Sequence, residues 1–494
     1  MDAIMPVNRK LASGESGTSA EFVALIIVSA TCPSLIRNLL AVLYPNFILF
    51  NNKSFWVTLV FEFCIIILPV ELMITLWNVQ SHYFLLITWS CIILVLVSGL
   101  CRKGFQSAFK STSFLKVTMS NCPFVSYFRA YTNIFTGFSI LAVDFRIYPQ
   151  YFYKSRVFGT ALMDSGLGFY IISNAIVSAE ARGIETTKSA KRALTKASKD
   201  TIPLIFLGVG RYFLLNSLGY HYPIQEYGVH WNFFFTLAVV KMGSTIMFSF
   251  TPVKMWKFLG PLVIVVHQGL LLTTSYRNFV LFGWKGDAAR DGGFLEANRE
   301  GIIASVGFLA IYLIGVQLGT LLMKKRETIG DWLTILLWLT VVCSSCWIML
   351  EITRLTVQRP SRKFANLSYT FFVIGVTSLL IVEGLAFDIL ISYIKQVTNN
   401  SIQTIDQSNI STDRTCSLLQ AINYNGLLFF AVANLMTGLI NLSIDSKSKS
   451  DREGFTIVTV YMMILSVLFL YMYRHKMSFK AFLWRKNRTK SLPS

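Results

Sequence analysis

The sequence predicts an all-α, polytopic transmembrane helical protein with about thirteen spans. Composition supplies the first reason: 54% of the 494 residues are hydrophobic and 14% charged, with a mean hydropathy of +0.55. So few charges cannot build a water-facing surface around a chain of this length. Patterning supplies the second, because the apolar residues come in runs of about 18 to 24, enough to cross a roughly 30 Å hydrocarbon core. Charge placement supplies the third. Net charge is +20, yet Lys and Arg gather in short connections between apolar runs, a pattern that suits anionic lipid headgroups and makes nucleic acid a poor partner.

Residues 1–20 are polar and mixed in charge. The apolar run that follows, from about residue 21, is too long for a secretory signal and lacks a small-residue cleavage pattern, so it is expected to act as an uncleaved anchor. Further helices are expected to begin near residues 55, 82, 125, 161, 201, 231, 257, 301, 331, 367, 418 and 455, which gives a membrane domain over 21–474. An odd number of spans puts the termini on opposite sides. Arg474, Lys476, Lys480, Arg485, Lys486, Arg488 and Lys490 then make 475–494 a basic cytoplasmic tail by the positive-inside rule. The polar stretch Lys395 to Cys416 reads as a flexible cytoplasmic loop whose sequons, at Asn399 and Asn409, stay unglycosylated. Three far-side loops break the charge rule: Arg146 to Arg156, Arg277 to Arg299 and Arg354 to Lys363. A rule broken where charge is costly marks them as candidate site loops. The eight cysteines are scattered and form no disulfide framework or metal site; Cys343 and Cys346 are read as packing residues.

Ionisable and polar residues near or within spans are each a functional hypothesis, weighed against interhelical pairing. Asp144 closes one apolar run. Lys154 lies ten residues on, past Pro149, in an aromatic connection that can fold back to set amine beside carboxylate, as a reactive site or as a structural ion pair. Asp164 enters the next span above Ser165, Gly166 and Gly168, small residues that permit close helix approach. Glu226, Tyr227, His230 and Trp231, with His221, suit either an interfacial belt or a substrate lining. Asn298, Arg299 and Glu300 precede Gly301 at a helix start, where they either cap the first turn or receive a lipid phosphate. Asn423, Asn425, Asn434, Thr437 and Asn441 recur along one span and favour interhelical hydrogen bonds. His267, alone in an apolar run, favours a helix contact over a catalytic base.

Several of these segments resemble one known family. Leu141-Ala-Val-Asp144-Phe145, then Tyr148-Pro149, Lys154 and Gly159-Thr160-Ala-Leu-Met163-Asp164-Ser-Gly166-Leu-Gly168, look like the signature region of the glycosylphosphatidylinositol (GPI) inositol acyltransferases. These are the class W proteins of animal GPI biosynthesis and the fungal GPI-anchored wall transfer proteins. Glu226 to Phe235, Ala297 to Gly301, Ser361-Arg362-Lys363, Ala421 to Gly426 and Ala433 to Gly438 follow in the same order. Ser165 and Tyr424 depart from the expected pattern.

The resemblance implies a multi-pass endoplasmic reticulum enzyme that moves a long acyl chain, usually palmitoyl, from acyl-CoA to the inositol 2-hydroxyl of glucosaminyl-phosphatidylinositol. The far side of the topology is then the lumen. It implies Asp144 and Lys154 as the catalytic pair. Asp144 accepts the hydroxyl proton, and Lys154 stabilises the oxyanion or orients Asp144. The substrate-binding set is Asp164, His230, Trp231, Asn298, Arg299, Glu300, Arg362, Asn423, Asn425 and Asn434, with Arg299 and Arg362 expected on phosphates. Palmitoyl-CoA enters as co-substrate; no permanently bound cofactor, no metal and no obligate protein partner are expected. Two rivals are a histidine-type membrane-bound O-acyltransferase using His267 and a secondary transporter or lipid translocator, although the repeats common in transporters are not visible.

Overall fold

A computed structural model describes residues 17–44, 54–103, 122–183, 190–217, 226–284, 290, 292–400 and 417–479. His221, the sequon at Asn409, most of the N-terminal segment and the tail beyond residue 479 lie outside the described residues. Helices dominate, and a single isolated bridge, Thr18 to Thr160, is the one β-type pairing among the described residues.

Every run expected to be a span is helical. Ten of the described helices are long and apolar enough to cross a membrane, from Ala20–Leu43 to Asp451–Arg474. Three expected spans differ for separate reasons. Pro123–Ala142 mixes Arg129, Asn133 and several hydroxyls into its length. Ala190–Ser217 opens on Lys191, Arg192, Lys196, Lys199 and Asp200 before turning apolar. Leu162–Ile176 has only 15 residues, about 22 Å at a rise of 1.5 Å per residue.

The chain forms two compact units whose segments alternate along the sequence. One comprises Met1–Ala24, Ser111–Val125 and Gln150–Ile389; the other comprises Leu25–Lys110, Ser126–Pro149 and Leu390–Ser494. In the first unit, helix Arg299–Leu322 is the hub, packed by Leu162–Ile176, Phe233–Phe250 and Trp256–Thr273. Its glycines make room. A Cβ at Gly307 would stand 2.0 Å from the Ala365 carbonyl oxygen, and one at Gly319 would stand 2.5 Å from that of Ile176. The small-residue stretch ahead of Gly168 works as expected, since a Cβ there would meet Val373 at 2.5 Å. Helices Ala190–Ser217 and Phe233–Phe250 run antiparallel: the Asn232 amide donates to the Gly208 carbonyl at 2.9 Å, and further along the Ser198 hydroxyl reaches the Met242 sulfur at 4.0 Å. Cys343 and Cys346 are buried and unpaired, as packing residues should be, with the Cys343 thiol on the Gly375 carbonyl.

The second unit is held by buried polar ties. Arg37 pairs with Glu62 at 2.7 Å. The same carboxylate accepts the backbone N–H groups of Ser417 and Leu418, satisfying donors left over at the start of helix Ser417–Tyr424. The Tyr461 hydroxyl donates to the Gly137 carbonyl at 2.9 Å and lies 3.3 Å from that of Ala433, which locks three helices together.

Candidate active site

In the first unit, two loops meet ahead of two helices. The loop before Leu162–Ile176 and the loop before helix Leu367–Asn400 are stitched by Gly159 N–H to the Pro360 carbonyl, 2.9 Å, and by the Ser361 hydroxyl to the Val157 carbonyl. Asn366 braces the second loop from within, its side-chain oxygen accepting Ser361 N–H at 3.0 Å and Tyr369 N–H at 3.1 Å. These loops deliver Asp164 and Arg362 to each other. Arg362 Nε donates to Asp164 Oδ1 at 3.0 Å, with both side chains buried. The Asp164 carboxylate also accepts Ser155 N–H on both oxygens, and its position in the first helical turn suits the helix dipole.

From Arg362 the charges alternate outward. Its Nη1 lies 3.9 Å from Glu226 Oε1, and Lys154 Nζ donates to the same oxygen at 2.5 Å. Asp164, Arg362, Glu226 and Lys154 thus form one line, from a fully buried carboxylate to an ammonium whose side chain is 37% exposed. Burial alone would push the Glu226 carboxyl up, but the neighbouring Lys154 and Arg362 charges hold it below the ordinary carboxylate range. Burial would pull the Arg362 guanidinium down, and Glu226 and Asp164 more than offset that, leaving it raised. Tyr227, under the Arg362 guanidinium, is pushed up by burial and by Glu226.

The segment 226–231 continues from this line to a cavity. Backbone bonds from Val229 N–H to the Ala297 carbonyl and from Gly301 N–H to the Tyr227 carbonyl fasten it. Asn298 adds its side-chain oxygen to the N–H groups of His230 and Trp231, 2.8 and 2.9 Å away. The fit requires Gly228, whose φ is +122° and whose Cβ would fall 2.5 Å from Asn298 Cα. His230 and Trp231 then border an almost wholly apolar cavity of about 680 Å³ between helices Ala190–Ser217 and Phe233–Phe250.

In the second unit, Asp144 lies just past helix Pro123–Ala142, and its Oδ2 accepts the Asn441 amide at 2.7 Å. The Asn441 oxygen in turn accepts the Ser446 hydroxyl at 3.0 Å. Asp144 and Lys154 therefore each have a partner within their own unit.

Most of the other expected site residues have partners within the protein. Asn298 does not cap its helix, because its side chain is spent on segment 226–231. Arg299, expected on a phosphate, is 1% exposed and donates to the carbonyls of Val280 and Glu296. Glu300 pairs with Arg290 at 2.6 Å. Arg362, also expected on a phosphate, is committed to Asp164. Asn434 bonds the Phe430 carbonyl of its own helix. Asn425 reaches past helix Asp451–Arg474 to the Met477 carbonyl and Phe479 N–H. The Asn423 oxygen has no hydrogen-bond partner among the described residues. His267 is buried, with Nε2 2.8 Å from the carbonyl of Phe364 in the loop before helix Leu367–Asn400 and Nδ1 without a hydrogen-bond partner among the described residues. Sequence reasoning did not pair Glu226 with Lys154 or Asn441 with Asp144. The available signals were the opposite charges of two loops on one side and the seven-residue step from Asn434 to Asn441, which shares a helix face.

Among the described residues, no group of His, Cys, Asp or Glu is arranged to hold a metal. The comparisons with known proteins agree on one assignment. The GWT1 profile matches residues 7–472. The glucosaminyl-phosphatidylinositol-acyltransferase PIGW of Bos taurus is 33% identical over 482 residues, 91% of this chain and 94% of the relative. That of Homo sapiens is 31% identical over 83% of this chain and 87% of its own, and the GPI-anchored wall transfer protein 1 of Candida glabrata is 29% identical over 74% and 77%. Matched from end to end in this way, the chain belongs to the GWT1 family.

Proposed function

We propose that this chain is an acyltransferase of the endoplasmic reticulum membrane that moves a long fatty acyl group, palmitoyl foremost, from acyl-CoA to the inositol 2-hydroxyl of glucosaminyl-phosphatidylinositol. The observation that carries the proposal is the match along nearly the whole chain to relatives named for glucosaminyl-phosphatidylinositol acylation. The geometry of the first unit supports it: a braced line of charges ends at the half-exposed ammonium of Lys154, and the segment bearing Glu226 also borders an apolar cavity.

In the proposed chemistry Asp144 takes the proton as the inositol oxygen attacks the thioester carbonyl. A C–O bond forms, negative charge gathers on the former carbonyl oxygen, and the C–S bond then breaks to release the CoA thiol, which accepts the proton. Lys154 supplies positive charge for the oxyanion, an interaction worth more in a water-poor site than in bulk. Asp164, Arg362 and Glu226 are positioning residues that keep the amine in one place. No acyl-enzyme is invoked: the inositol oxygen attacks the thioester directly.

The test is acyl transfer by microsomes given glucosaminyl-phosphatidylinositol and labelled palmitoyl-CoA. Asp144→Asn is expected at normal abundance with no acylated product, while His267→Ala, altered at a contact with the Phe364 carbonyl, is expected still to turn over. Product from the Asp144→Asn protein removes Asp144 from the mechanism, and an inactive His267→Ala beside an active Asp144→Asn favours a histidine base.

A further inference from the structure

The cavity beside His230 has a length as well as a volume. Along helix Ala190–Ser217 its lining runs from Thr201 to Phe213, and along Phe233–Phe250 from Phe235 to Ile246. At 1.5 Å per residue these are about 18 and 16 Å. One lipid chain spans one leaflet, half of a roughly 30 Å core or about 15 Å. The groove therefore has the reach of one extended long acyl chain, whereas a phosphatidylinositol brings two chains side by side. The antiparallel packing gives the groove a polarity. Its near end is framed by His230, with the Phe294 ring stacked at 6.3 Å and the Tyr212 ring at 5.4 Å, and this end continues along the backbone to Glu226. Its far end is formed by Thr201, Met242 and Ile246. Its walls are otherwise hydrocarbon and it opens along one side, where Ile205, Phe213 and Val239 are exposed, so an occupant is recognised by its length and not by polar contacts.

We infer that this groove receives the chain of the acyl donor, thioester end towards His230, and that Thr201, Met242 and Ile246 set the length of chain transferred. The inference rests on the acyltransferase function proposed above. A chain too long for the groove must leave methylenes unaccommodated at the far end; one too short leaves the far end unfilled. Either mismatch discriminates by a few-fold to a hundredfold, as a methylene in an apolar pocket does.

The experiment offers the purified full-length protein an equimolar mixture of C12, C14, C16 and C18 acyl-CoAs with glucosaminyl-phosphatidylinositol and reads the product ratios by mass spectrometry. Met242→Trp fills the far end and is expected to raise the C12 to C16 product ratio about tenfold or more. Met242→Ala opens it and is expected to raise C18 over C16. Each variant is first checked for a monodisperse peak in detergent. Ratios unchanged from the unaltered protein in both variants, or product lost at every length in both, overturn the inference. Absence of any product from the unaltered protein instead overturns the acyltransferase function itself, so the two failures are separable.

Discussion

Glu226 shows how much one side chain can organise. It touches two cations, Lys154 at 2.5 Å and Arg362 at 3.9 Å, and so links the exposed end of the line to the buried Arg362–Asp164 pair. Breaking a buried pair by removing one partner costs roughly 3–5 kcal/mol, because the other charge is stranded; this is why Asp164 and Arg362 tolerate little change. Glu226, with 15% of its side chain exposed, is less enclosed than Asp164 or Arg362 and so the milder place to probe the line. Its pairing is present at any pH above the ordinary glutamate value of 4.5 and is lost only as pH falls through the lowered value in the folded protein. Between about pH 6 and 8 it carries its charge throughout. Glu226→Gln is therefore expected to lower kcat for acyl transfer about tenfold or more while leaving the shape of the pH profile in that window unchanged. A profile whose midpoint moves would show that Glu226 itself titrates during turnover.

At the scale of elements, close approach decides which changes the fold absorbs. Gly307 lies on the hub helix against the carbonyl of Ala365, a residue held at φ +47°. Backbone cannot yield as a flexible side chain does. Gly307→Val is expected to cost about 3 kcal/mol, seen as a lower unfolding temperature in detergent and loss of monodisperse protein. Gly269→Ala is the matched control: nothing lies within 4 Å of the added methyl, and alanine is the better helix former. An unfolding temperature lowered equally by both changes would count against tight packing as the cause. The short helix Leu162–Ile176 was legible in sequence as a span but not in its length, because Ile176 is followed by Val177, Ser178 and Ala179, which continue the apolar run without a breaker. Just past the helix end the Ser178 hydroxyl accepts Ala181 N–H at 3.1 Å, and the Ile176 carbonyl lies close against Gly319 of Arg299–Leu322.

At the scale of the whole molecule, the apolar runs were legible because hydrocarbon demands length and continuity, and each run became a helix. The candidate site was legible as a set of unusual residues, not as a network. Arg362 stood out as a positive charge on the wrong side of a charge rule, yet its partner Asp164 is 198 positions away. Phosphate binding was the simplest use for such a charge in sequence, and the structure gives it a buried carboxylate partner. The amides from Asn423 to Asn441 were visible as a stripe, but only Asn425 and Asn441 find partners in other segments, and Asn434 bonds its own helix. Asn425 is the instructive case. By gripping the Met477 carbonyl and Phe479 N–H, it moors the chain beyond helix Asp451–Arg474 to the foot of helix Gly426–Ser443, whose other end bears Asn441 on Asp144. Where a terminus is trimmed thus matters more than how much is removed. A protein ending after residue 479 keeps the mooring and is expected to retain transfer in the microsomal assay, whereas one ending at 476 casts it off and is expected to lose a large part of it. Equal activity from the two would show that the mooring is idle. The basic tail is then dispensable ballast, and the few residues before it are a keel.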